Sequence, residues 1–107
     1  MDDNQLLRAR QEISGIDREM ARLFEARMKA VRKIAAYKRA RGLPVLDAVQ
    51  ERAVLERNAA FIEAEELRGF YARFLQAVMD VSKDYQRRLM EDAESSPSEA
   101  VLGETKA

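Results

Sequence analysis

The chain has 107 residues and contains no cysteine, histidine or tryptophan, so it reads as one small domain without a disulfide framework, zinc ligation or Cys- or His-nucleophile chemistry. Nineteen Lys and Arg balance nineteen Asp and Glu, which argues against a general nucleic-acid binder. No stretch approaches the roughly 20 apolar residues of a membrane span, and Met1-Asp2-Asp3 is an acidic start where a signal peptide is basic, so a soluble, cytoplasmic protein without a membrane partner is expected.

Residues 4–41 contain one glycine, Gly15, no proline, and a high share of good helix formers. They predict a single helix of about 38 residues, about 57 Å long. A heptad pattern runs along it. Leu6, Ile13, Met20 and Ile34 fall in one column, and Ala9, Ile16, Leu23, Ala30 and Tyr37 in the other. Arg27 interrupts the first column. A guanidinium in an apolar seam is costly unless an anion meets it, either a protein carboxylate or a ligand, and both readings stay open on the pattern alone. Residues 2–41 carry eleven basic and six acidic residues, an excess that favours an anionic partner.

Arg41-Gly42-Leu43-Pro44 ends the helix with a basic last turn, a glycine in the capping region and a proline beyond. After an extended piece, Leu43 to Leu46, Asp47 and Gln50 have the spacing of a capping box that opens a second helix, running to about Phe61. A third helix is expected from around Glu65 to Met90. It has Phe70, Phe74, Ala77 and Val81 on one stripe and Tyr71, Leu75, Val78, Tyr85 and Leu89 on another, which predicts burial on two sides. The helical domain is placed at residues 1–91. Residues 92–107 are rich in Glu and Ser and poor in apolar groups, and are expected to form a disordered acidic tail.

Three helices of such unequal length leave part of the long one with its seam exposed. The expected architecture is all-α, a three-helix chain with one very long first helix, paired through its long helix as a twofold helical homodimer. Arg27 and Lys38 are three turns apart, about 20° around the helix and about 16 Å along it, so their long side chains can converge on one small anion. Arg10 lies about 25 Å before Arg27 along the axis. It can join that pair only from a second subunit whose long helix runs antiparallel. Taken singly, Arg10 and Lys38 read more readily as solvated or interhelical salt-bridge positions than as ligand contacts.

On the third helix Ser82 interrupts an apolar stripe and Gln86 follows one turn later, offering neutral hydrogen bonds from an apolar wall. A serine there commonly bonds back to the carbonyl four residues earlier. Glu51, near the start of the second helix, favours the helix dipole and needs no further role on that ground.

Together, Arg10, Asp17, Arg27, Lys38, Gly42-Leu43-Pro44-Val45, Asp47, Glu51-Arg52, Val54-Leu55-Glu56-Arg57, Ser82 and Gln86 are ordered and spaced in a way that resembles the all-helical class of chorismate mutase, over residues 5–90. The resemblance implies an interlocked homodimer with two shared sites. It also implies the cofactor-free Claisen rearrangement of chorismate, a dicarboxylate, to prephenate in phenylalanine and tyrosine biosynthesis. By the same resemblance, Arg27 and the second subunit's Arg10 clamp the carboxylates with help from Ser82. Lys38 bonds a carboxylate and the ether oxygen, Gln86 donates to that oxygen, and Glu51 with the Asp47 backbone takes the ring hydroxyl. Such catalysis consists of holding a reactive shape and stabilising charge on the ether oxygen.

One position departs from the pattern. Relatives commonly carry arginine directly before the glutamate of the second helix, where this chain has Gln50. As a substrate-binding position Gln50 brings one positive charge fewer, and as part of the capping box it needs no catalytic role. Two rival functions fit the same features. One is an isochorismate-pyruvate lyase of the same fold, against which Glu51 argues mildly. The other is a non-catalytic helical dimer that binds an aromatic metabolite or a partner enzyme, against which the intact set Arg10, Arg27, Lys38 and Gln86 argues.

Overall fold

A computed structural model describes residues 1–95, and among them every regular element is helical. Helix α1 spans Asp3–Arg41, α2 Ala48–Ala59 and α3 Arg68–Ser95, with a single 3₁₀ turn at Glu65–Leu67 before α3. The chain divides into two units, residues 1–31 and the remainder.

The first unit consists almost entirely of the N-terminal part of α1, which opens on a reciprocal capping box. The Asp2 carboxylate accepts the Gln5 N–H at 2.8 Å, and the Gln5 side chain accepts the Asp2 N–H at 2.8 Å. One turn is braced by an ion pair between Glu19 and Arg22, which draws the Glu19 carboxyl below its ordinary range. Leu6, Ile13, Ile16, Met20 and Leu23, the heptad residues, are 40–58% exposed. Val31 is buried, and Arg27 and Met28 are half-buried.

The second unit begins with the last turns of α1. Gly42 adopts φ +64, the left-handed conformation in which a Cβ is strained. Its N–H reaches the Arg39 carbonyl at 3.2 Å, and the Leu43 N–H reaches the Lys38 carbonyl at 2.8 Å, so α1 ends in a Schellman motif. The Arg41 guanidinium lies over the Tyr37 ring, 3.8 Å from its centroid. Asp47 caps α2 by accepting the Gln50 N–H at 3.0 Å.

Helix α2 stops at Ala59, two residues before the expected end at Phe61. Asn58 turns its side chain back to the Val54 carbonyl, and the Phe61 and Ile62 N–H groups close onto Asn58 and Ala59. The Arg68 Nε then donates to the Ile62 carbonyl at 2.8 Å, securing the turn into α3. α3 continues through Ser95, so residues 92–95 of the expected tail are helical, in keeping with the helix-forming Glu91, Ala93 and Glu94. The rest of that tail, 96–107, lies outside the described residues.

The core of this unit is small: Ala35 from α1, with Leu75 and Met79 from α3, the last two contributing about 1.5–3 kcal/mol each when fully buried. Of the two stripes read on α3, Leu75 is buried and Tyr71, Val78, Tyr85 and Leu89 are half-buried. Phe70, Phe74 and Val81 are about half exposed or more. Burial on two sides is therefore seen on one side only, because among the described residues no element covers the Phe70, Phe74 and Val81 stripe. Among the described residues no helix is long and apolar enough to cross a membrane.

Candidate active site

Six of the sequence-selected residues belong to the second unit: Lys38 at the end of α1, Asp47, Gln50 and Glu51 at the start of α2, and Ser82 and Gln86 on α3. Arg10, which is exposed, and Arg27, which is half-buried, belong to the first.

Lys38 is half-buried because its Nζ turns to the loop and donates to the Val45 carbonyl at 2.8 Å. The ammonium has three donors, so the bond leaves donors for an anion. Asp47 is occupied as a cap through its side chain, and its carbonyl accepts the Glu51 N–H at 3.0 Å. Gln50 contributes its backbone N–H to that cap, and its side chain is exposed.

Ser82 and Gln86, 4% and 7% exposed, are the buried polar residues of α3 among those described. Ser82 donates to the Val78 carbonyl at 2.8 Å, the local bond common for a helical serine. Gln86 differs. Its Oε1 is buried and has no hydrogen-bond partner among the described residues. Leaving such an acceptor unsatisfied costs on the order of 1–3 kcal/mol. Rotating the carboxamide by half a turn exchanges its ends, so the same buried position can present an acceptor or a donor to a ligand.

The contacts of Glu51 were not legible in the sequence. Lys83 Nζ lies 2.8 Å from its Oε2, and Gln76 Nε2 lies 3.4 Å from its Oε1. Lys83 also meets Asp80 at 3.2 Å, and Gln76 donates to Asp80 at 3.0 Å. Each ammonium or amide thus bridges the same two carboxylates. The Glu51 carboxylate, followed by that of Asp80, holds the Lys83 ammonium above its usual pKa, and Gln76 followed by Lys83 draws the Asp80 carboxyl down. A polar stripe at 76, 80 and 83, spaced i, i+4, i+7 along α3, was the available signal.

A shallow groove of about 200 Å³ lies between Arg32, Ala35 and Arg39 of α1 and Leu89 and Met90 of α3. It is lined by none of the sequence-selected residues. At its side, Arg32 donates to the Tyr85 hydroxyl at 3.3 Å.

The chorismate mutase type II family matches residues 9–87, well over half of the chain. The chain therefore belongs to the chorismate mutase type II family, an all-helical family of chorismate mutase-type isomerases. Searches of curated proteins and of solved structures returned no match.

Proposed function

We propose that the chain is a chorismate mutase that converts chorismate to prephenate by the Claisen rearrangement, in a homodimer whose two sites are shared between subunits. The observation that carries this reading is the extent of the family match. Residues 9–87 include Arg10, Arg27, Lys38, Asp47, Glu51, Ser82 and Gln86, every residue to which the resemblance gives a role in the reaction.

The reaction breaks the ether C–O bond as a new C–C bond forms, within one molecule and without proton transfer. What the protein supplies is shape and electrostatics. Arg27 and the second subunit's Arg10 would fix the two carboxylates, Lys38 would bond a carboxylate and the ether oxygen, and Gln86 would donate to that oxygen as it gains negative charge. Glu51 and the Asp47 backbone would take the ring hydroxyl. A millionfold acceleration requires about 8 kcal/mol, within the range of several preorganised charged hydrogen bonds in a dry pocket.

Two features support a dimer. The heptad residues of α1 stand exposed, and so does the Phe70, Phe74, Val81 stripe of α3. Apolar surface of this extent on a small chain calls for a covering partner. A second copy, related by a twofold axis, supplies both a cover and the missing arginine.

The deciding experiment follows the loss of chorismate absorbance on adding purified protein, with prephenate identified as product. Pyruvate release from isochorismate with chorismate untouched would establish the lyase instead, and neither reaction would leave the non-catalytic dimer.

A further inference from the structure

Glu51 stands in the first turn of α2, a place where a glutamate ordinarily samples several rotamers in water. Here both carboxylate oxygens are engaged from α3: Oε2 by Lys83 at 2.8 Å, and Oε1 by Gln76 at 3.4 Å. Asp80 closes the ring by accepting from the same two residues, at 3.2 Å and 3.0 Å. The Lys83 and Glu51 side chains are only 16% and 19% exposed, so this ion pair is shielded well beyond an ordinary surface pair. Lys83 follows the buried Ser82 directly and precedes the buried Gln86 by less than one turn.

We propose that Lys83 is a positioning residue for the reaction. It fixes the Glu51 carboxylate from the facing helix, with Gln76 and Asp80 completing the frame, so that the remaining lone pairs of Glu51 accept a substrate hydroxyl. The inference rests on the mutase reading, in which Glu51 takes the ring hydroxyl. An ionised carboxylate offers about four acceptor sites, and Lys83 and Gln76 use two of them. Lys83 itself does not touch substrate. Its effect passes through Glu51, and this distinguishes it from the cations of the proposed carboxylate clamp.

The test measures KM and kcat for chorismate with the full chain, comparing the unmodified protein with Lys83→Met, Lys83→Arg, Glu51→Gln and the Glu51→Gln/Lys83→Met double variant. Lys83→Met is expected to raise KM about tenfold while kcat changes less than about threefold. Lys83→Arg should restore most of the loss, because a guanidinium keeps the charge and the donors. The double variant should be no worse than Glu51→Gln alone, since a residue acting through another adds nothing once that other is gone. Should Lys83→Met fail to fold, Asp80→Asn carries the test, with a smaller rise in KM that disappears in the Glu51→Gln background. An unchanged KM in Lys83→Met, or KM effects that multiply in the double variant, overturns the inference while leaving the mutase reading in place. No turnover by the unmodified chain overturns the mutase reading, and this inference with it.

Discussion

The Lys38 ammonium donates to the Val45 carbonyl at 2.8 Å, tying the last turns of α1 to the loop that leads into α2. One side chain thus joins the end of the long helix to the segment that positions Asp47 and Glu51. Replacing Lys38 by alanine should abolish chorismate turnover, because the cation proposed for the ether oxygen is lost. The loop tether goes with it, at a cost of about 2 kcal/mol for a half-buried charged hydrogen bond. Far-ultraviolet circular dichroism should stay unchanged and the urea midpoint should fall slightly. Wholesale unfolding of the variant would give Lys38 a structural role in place of the catalytic one.

Gln86 invites the opposite trade. Its Oε1 is buried without a partner among the described residues, an arrangement that costs stability until a ligand or other donor meets it. Gln86→Met has a similar volume and no polar atom to leave unsatisfied. It should raise the unfolding free energy by about 1 kcal/mol while lowering kcat by about 10²–10³, the loss typical when one donor to a developing oxyanion is removed. Denaturant melts and initial rates on the same preparation test both halves. A variant less stable than the parent would mean that the amide has a partner in the free protein.

Gly42 is the one described residue with a left-handed backbone. A Cβ added there meets no neighbouring atom, so Gly42→Ala isolates the backbone strain, about 1 kcal/mol. Gly42→Asn should recover part of it, because asparagine tolerates this conformation. Equal melting temperatures for glycine and alanine would show that the Schellman turn opens at little cost.

The ring joining α2 and α3 sets a pH dependence of stability. Asp80 is drawn below its ordinary value of 3.8, chiefly by Gln76 and then Lys83, so its contribution is present above that value and is lost as pH falls through the lowered pKa. Lys83 is raised above 10.5, chiefly by Glu51, so its contribution is complete below that value and is lost as pH rises through the raised pKa. The stability difference between the unmodified chain and Lys83→Met should be flat through neutrality and shrink at both extremes. A difference that stays constant from about pH 2 to pH 12 would remove the ion pairs as its origin.

What could be read from the sequence was whatever depends on near neighbours. The absence of proline between residues 4 and 41, Gly42 after a basic turn, and Asp47 three residues before Gln50 each act within a turn or two, and all three produced the expected element. The partners of Glu51 could not be read this way. Lys83 lies far along the chain, beside Ser82, and takes on meaning only when α3 is folded against α2. The second stripe of α3 failed as a guide to burial for a related reason. Phe70 and Phe74 are apolar at helical spacing, yet periodicity says only that a face suits burial, and none of the described residues covers it. The Asp2–Gln5 capping box is a local feature that was overlooked, since its aspartate lies in what reads as an acidic start.

The shared-site dimer makes a quantitative prediction. Arg10→Ala removes from each site the arginine lent by the other subunit, and Lys38→Ala removes the lysine each subunit keeps, so either homodimer should be inactive. When the two are unfolded together and refolded, random pairing makes half of the dimers hybrids. In a hybrid, one site collects both substitutions and the other collects neither. Roughly a quarter of the unmodified activity should therefore return. Recovery depends on Arg10 and Lys38 of the same site coming from different chains, and on nothing else about the variants. If Arg10 served the site of its own subunit, every site in the mixture would carry one defect and no activity would appear, while size-exclusion chromatography would still report dimers.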